Sequence, residues 1–367
     1  MAGMYIHIPF CFSRCNYCDY YKTTDLYLKK KYVESLISEI KYRSEQFKYP
    51  IETIFFGGGT PSLLEIYEVE KILSTIYNIF EVIPQAEVTF ECNPDDLSIE
   101  YLTNIRSFGI NRISIGIQSF SDNDLQIMGR RHNVKQAYKS IEMAFNAGFQ
   151  NISADIIYGL PWNNIKLFKE NLKQFISLKL PHFSAYHLEI ETGTNFFNNK
   201  MKKIDDSESF EQYMLLCDTM QNIGMQHYEV SNYCMVGYFS RHNFAYWQRK
   251  PYLGIGAGAH SFHENCRFFN PKDVALYNMQ NFDEIIEEEV LNKKEIYNEH
   301  ILLGLRIYEG VNINFIKNKF TEFYRNFNDT AKKWINKNVL FVEGDWLKCF
   351  EKQWIIIDRV IEDFIEL

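Results

Sequence analysis

The first half of the chain alternates strand-like and helix-like segments with a regularity that few folds accommodate. Residues 4–9, 51–56, 86–90, 112–118, 151–157 and 182–188 read as strands from their β-branched and aromatic content. Apolar residues at helical spacing predict helices over 24–47, 63–80, 123–128, 134–147 and 165–178. Six such strands predict parallel βα units closing into a full or partial barrel, whose chemistry gathers at the carboxyl ends of the strands. Polar and glycine signals fall there repeatedly. A cysteine loop follows the first strand and Gly57-Gly58-Gly59-Thr60-Pro61 the second, while Glu91, Gln118 and Asp155 stand at or near the ends of the next three. Any one of these is ordinary turn or capping chemistry, but five in the same position point to a common site.

The cysteine loop is the most specific of them. Cys11, Cys15 and Cys18 form C-x3-C-x2-C. An odd number of thiols on so short a loop cannot pair off as disulfides, so metal ligation is expected. Three thiolates on a four-iron cluster would leave one iron open. The competing reading is structural zinc with His7 as fourth ligand, although such sites usually draw on two separated pairs and no second pair follows. Cys92, Cys217, Cys234, Cys266 and Cys349 are scattered singly and read as free thiols. In the glycine turn, backbone N–H groups can approach an anionic group and Thr60 adds a hydroxyl donor. The segment GGGTPS matches neither a Walker nor a Rossmann fingerprint.

Composition narrows the class without choosing a function. The net charge of -8 excludes a general attraction to nucleic acid. No charged segment followed by a short apolar one opens the sequence, and no apolar run reaches membrane length, so a soluble cytoplasmic protein with reduced thiols is expected. The aromatic content of 16%, with 30 Phe and 24 Tyr, suits either dense packing or a flat hydrophobic ligand.

The motifs YIHIPFC-x3-C-x2-C, GGGTPS, ECNP, GIQS, GRRH and DIIYGLP run in order through roughly the first half of the chain. In this they resemble the radical S-adenosylmethionine (SAM) superfamily, and within it the group built around oxygen-independent coproporphyrinogen III oxidase. The resemblance implies a [4Fe-4S] cluster on Cys11, Cys15 and Cys18, with SAM chelating its open iron and an electron donor serving the cluster. By motif position it also implies that Tyr5 and Tyr17 contact the cofactor. Gly58, Gly59 and Thr60 would line its methionine part, Glu91 its polar rim, and Gln118, Arg130 and Asp155 would complete that SAM set or a second one. Taken without the resemblance, Arg130 could equally be a surface ion pair, the reading given to Arg131. The oxidase has a further cysteine two positions after the third, where this chain has Tyr20. That departure points to the heme-chaperone branch of the group.

The second half bears on the same choice. His242-Asn243-Phe244-Ala245-Tyr246-Trp247 matches the H-N-x-x-Y-W motif of that branch, which implies heme binding near His242, Asn243, Tyr246 and Trp247. Read from the residues alone, His242 and Asn243 could instead cap a turn and the aromatics pack into the core. His187, His227, His260 and Cys234 are rival iron ligands. Domain limits are expected at 1–195 for the barrel, 196–280 for an accessory segment completing the cavity, and 281–367 for a small, mainly helical domain, winged-helix-like, with a hairpin from 339–341 and 354–357. Residues 360–367 read as an amphipathic helix. The expected function is a heme chaperone passing heme to acceptors such as respiratory cytochromes. The alternative is radical oxidative decarboxylation of coproporphyrinogen III. A homodimer and peripheral membrane contact are left open.

Overall fold

A computed structural model describes all residues, Met1–Leu367. Six parallel strands, β1 (Ala2–Ile8), β2 (Ile51–Gly58), β3 (Val82–Cys92), β4 (Arg112–Gln118), β5 (Asn151–Tyr158) and β6 (His182–His187), lie side by side in sequence order. The near-continuous burial of β1, β2 and β4 is that of strands covered on both faces. Between them run helices Lys29–Arg43, Ile66–Ile79, Ile99–Ser107, Asp122–Ile127 with Val134–Asn146, and Ile165–Ser177. Their starts follow local capping chemistry: the side chains of Ser98, Asn133 and Asn164 each accept an N–H from the first turn. The second helix begins later than Pro61-Ser62 suggests. Those residues form a 3-10 turn, and the capping pair Glu65 and Glu68 starts the helix at Ile66.

The sheet is twice as wide as six strands. On one side β7 (Gln226–Glu229) and β8 (Asn232–Cys234) form an antiparallel hairpin against β6. On the other, β9 (Tyr252–Ile255) pairs parallel with β1, followed by an antiparallel meander of β10 (His260–His263), β11 (Cys266–Phe269) and β12 (Glu287–Val290). The order β12-β11-β10-β9-β1-β2-β3-β4-β5-β6-β8-β7 leaves β12 and β7 unpaired with each other, so the barrel is partial. Gly254 makes the tight β9–β10 passage feasible, since a Cβ there would stand 2.0 Å from the His260 carbonyl oxygen.

The C-terminal region is helical, with helices Lys293–Gly304, Ile313–Lys319, Tyr324–Asn336 and Ile357–Glu362 around a small sheet of β13 (Val311–Asn312), β14 (Leu340–Glu343) and β15 (Trp346–Cys349). The hairpin therefore pairs residues 340–343 with 346–349. Residues 354–357, expected as its second strand, are helical instead, because Trp354 is drawn inward and donates Nε1–H to the Leu305 carbonyl at 3.0 Å. One continuous apolar core extends from Ala2 to Phe364 and takes in both the sheet and these helices. No helix is long and apolar enough to cross a membrane.

Candidate functional site

A single large cavity of about 1440 Å³ occupies the inside of the partial barrel. It exceeds the roughly 300–1,000 Å³ of an ordinary small-molecule pocket, so it can take more than one ligand. The cysteine loop lines one part of it. The helix Arg241–Trp247 and the β10–β11 hairpin line another, and helix Lys293–Gly304 contributes Glu295, Asn298 and Glu299.

The loop is tied down by its backbone. Cys11 N–H donates to Thr23 O at 3.0 Å, Asn16 N–H to Met128 O at 2.9 Å, and Asn16 Nδ2 to Ile127 O at 2.7 Å. This leaves the side chains of Cys11, Cys15 and Cys18 on the cavity surface. Cys11 Sγ accepts the Thr60 hydroxyl at 3.3 Å and Cys15 Sγ an Arg130 N–H at 3.5 Å. Burial pushes the Cys11 thiol up, against the Thr60 hydrogen bond. Tetrahedral zinc, with Zn–S about 2.3 Å, would hold its sulfurs within about 4 Å of one another. The three thiols line the cavity without closing into so compact a group. Nor is His7 free to be a fourth ligand: it is buried, with Nδ1 bonded to the Tyr5 hydroxyl at 3.0 Å and Nε2 to Tyr21 O at 3.1 Å.

The other expected residues surround the loop. Gly58 adopts φ +110 and donates its N–H to Glu91 at 3.2 Å. A Cβ on Gly59 would stand 2.7–2.9 Å from the backbone of residues 8–10, so only glycine lets the two turns touch. Gln118 lines the cavity in the left-handed region, φ 69, a strained conformation for a side-chain-bearing residue. Burial raises the Glu91 carboxyl to about 8, helped by the Asp155 charge, and raises Asp155 to about 6 against its hydrogen bond from Ser114 at 3.1 Å. Two carboxyl groups are thus poised near neutrality on a shared wall. The Arg130 guanidinium is spent on the protein: Nη2 donates to Gly116 O at 2.7 Å and to Asn93, and Nη1 to Cys15 and, at 3.4 Å, to the Tyr17 hydroxyl. Its Nε is buried without a partner. Arg131 pairs with Asp95 at 3.2 Å and Asp96 at 2.7 Å, as an ordinary ion pair.

At the far end, His242 is 1% exposed. Its Nδ1 meets the Thr53 hydroxyl at 2.8 Å and its Nε2 the Tyr246 hydroxyl at 2.9 Å. The ring stacks on Phe55 at 5.1 Å, and burial lowers its proton affinity to a pKa of about 3. The backbone N–H groups of Arg241 and His242 both donate to Glu87. His242 thus fastens the helix to β2 and β3, while Asn243, Tyr246 and Trp247 line the cavity. Among the rival ligands, His227 and Cys234 are buried and do not line it. His227 instead joins Cys217 and Glu351 in a compact group at the junction with the C-terminal helices, its Nδ1 3.2 Å from Glu351. His187 lines the cavity with both nitrogens engaged, by Glu189 at 3.0 Å and Ser209 at 2.8 Å.

Sequence reasoning missed Asn93, Glu229 and, apart from His260, the β10–β11 wall. Asn93 lay within a quoted motif, ECNP; the wall left only the weak signal of alternating aromatic and cationic residues around 260–269. Glu229, raised to about 7 by burial, sits in the short β7 strand that no periodicity announces.

Comparison with known proteins agrees with this geometry. Residues 5–175 match the radical SAM superfamily. The chain is 35% identical to the heme chaperone HemW of Lactococcus lactis subsp. lactis strain IL1403, over 98% of this chain and 96% of that one. It is 33% identical to the heme chaperone HemW of Bacillus subtilis strain 168, over 88% and 87%. Coproporphyrinogen III oxidase (HemN) from Escherichia coli has the same fold, with a TM-score of 0.87 at 19% identity, over 99% of this chain and 89% of that one. The chain belongs to the HemW family of the radical SAM superfamily.

Proposed function

We propose that this protein is a heme chaperone that holds heme in the aromatic part of its cavity and passes it to acceptors such as respiratory cytochromes. The observation that carries the reading is the continuity of one cavity from a three-cysteine loop to a wall of aromatic side chains, with room for two ligands. Cys11, Cys15 and Cys18 would hold a [4Fe-4S] cluster, which supplies one-electron chemistry at an iron without a cysteine. SAM would lie beside it, against Gly58, Gly59 and Thr60. Glu91 and Asp155 suit its hydroxyl groups, since a carboxyl group accepts from a hydroxyl in either protonation state. Gln118, Tyr5 and Tyr17 complete the enclosure. Arg130 positions Cys15 and Tyr17 through hydrogen bonds from its Nη1. Asn243, Tyr246 and Trp247 give flat faces and hydrogen-bonding tips to a porphyrin.

The oxidase reading lacks its further cysteine, since Tyr20 stands in that place. Anaerobic reconstitution followed by titration with ferric heme should give stoichiometric uptake. Incubation with coproporphyrinogen III, SAM and a reductant should give no protoporphyrinogen. Sustained turnover in that assay would replace the chaperone function with the oxidase one, and failure to assemble any iron–sulfur cluster would remove both.

A further inference from the structure

Four histidines line the cavity: His7, His187, His242 and His260. Iron ligation needs a ring nitrogen with a free lone pair. In the first three, both nitrogens are within hydrogen-bond distance of protein groups. Ligation by any of them would cost one of those bonds, and for His7 and His242 it would also require bringing a buried ring outward. His260 is exposed, and neither of its nitrogens has a partner.

The strand geometry aims it into the cavity. Ser261 faces the core, with its hydroxyl 2.9 Å from the Gly254 N–H, so alternation along β10 turns His260 and Phe262 the other way. Across the hairpin, His260 pairs with Phe269 and Phe262 with Arg267. Phe269 meets the imidazole edge-on at 4.8 Å, which holds the ring upright without using its nitrogens. The result is an aromatic strip of Tyr252, Phe262 and Phe269, with the Arg249 guanidinium 4.6 Å from the Phe262 ring centre and one free imidazole standing in it. Partial desolvation in the cavity, with the nearby charges of Lys272 and Arg267, lowers the proton affinity of the ring, and the neutral imidazole is the form that binds metal.

The cations beside it complete a porphyrin's requirements. Arg249 pairs with Glu299 at 2.6 Å, and Arg267 with Glu299 and, at 3.3 Å, with Glu289, so both guanidiniums already have carboxylate partners. Lys272 lines the same wall and has no carboxylate within 4.0 Å. A carboxylate-bearing ligand on the strip would therefore find one unpaired ammonium.

Resting on the chaperone reading, we infer that His260 is the axial ligand of the bound heme iron, with Lys272 facing a heme propionate and His242 acting as a positioning residue. Ferric heme titrated into the reconstituted protein tests this, followed by absorption in the Soret and visible bands and by resonance Raman of the iron–ligand modes. His260→Ala should lose the histidine-ligated signature and bind about tenfold more weakly or worse, and added imidazole should restore the band. Lys272→Ala should keep the band and weaken binding about threefold. His242→Ala should retain the wild-type iron–ligand signature. His260→Gln, with cluster content and far-ultraviolet circular dichroism measured alongside, separates lost ligation from lost folding. An unchanged signature and affinity in both His260 variants would overturn the assignment while leaving the chaperone reading intact. Absence of heme uptake by the wild-type protein would overturn that reading and the assignment with it.

Discussion

The two ends of the cavity carry their motifs in opposite ways. At the cysteine end, the motif residues themselves face the cavity: a backbone-pinned loop leaves three thiols on its surface. At the other end, His242 heads the most recognisable motif yet is buried, doubly hydrogen-bonded and stacked on Phe55. It holds the helix that presents Asn243, Tyr246 and Trp247. A short motif can thus mark a reactive group or the bracket that aims other groups, and burial with satisfied hydrogen bonds tells the two apart.

Substitution at each end should separate these roles. The largest effect is expected for Cys15→Ser. Iron and acid-labile sulfide should fall to background in the reconstituted protein, while the melting temperature of the cluster-free form stays near that of wild type, because the thiol is partly exposed and unneeded for packing. A cluster-free variant that fails to fold would mean the loop is structural as well. Next in size, His242→Ala should lower stability by about 2–4 kcal/mol in denaturant unfolding, from two orphaned hydroxyls and a cavity beside Phe55. Its cluster content should not change. Little loss of stability would break the comparison, since it would show that His242 is not a bracket.

A pH dependence is expected at the cysteine end. The Glu91 carboxyl is raised to about 8 in the folded protein, chiefly by burial, against about 4.3 in an unfolded chain. Between those values the folded state binds more protons than the unfolded one, so this group costs the ligand-free protein stability increasingly as pH rises from 4 to 8. Glu91→Gln should therefore melt higher than wild type at pH 8, with the difference gone near pH 4. A difference independent of pH would assign the effect to the hydrogen bond from Gly58 instead.

Much of the fold was legible because period and punctuation agreed in the first half. Arg112–Gln118 was delimited to the residue, and the other five parallel strands to within a few. The second half was harder for a physical reason. Strands β7 to β12 are only three or four residues long, too short for alternation to stand out, and β9 gains its partner β1 from across the whole barrel. The run Glu287–Glu289 carries no strand propensity and is held by pairing with β11. The same limit left His260 as one of four rival ligands. Nothing in the sequence distinguishes its free nitrogens from the engaged ones of His187, because the difference lies in Glu189 and Ser209, which reach only the latter.

The missing pairing between β12 and β7 bears on how the cavity could open to a rigid, flat ligand. A closed barrel can widen only by breaking strand-to-strand hydrogen bonds, and in a ladder several must go together. Helix Lys293–Gly304 supplies part of the lining through the side chains of Glu295, Asn298, Glu299, Leu302 and Leu303. That part of the wall can shift by sliding side-chain contacts and the Arg249–Glu299 and Arg267–Glu299 ion pairs, with every ladder bond of the sheet left intact.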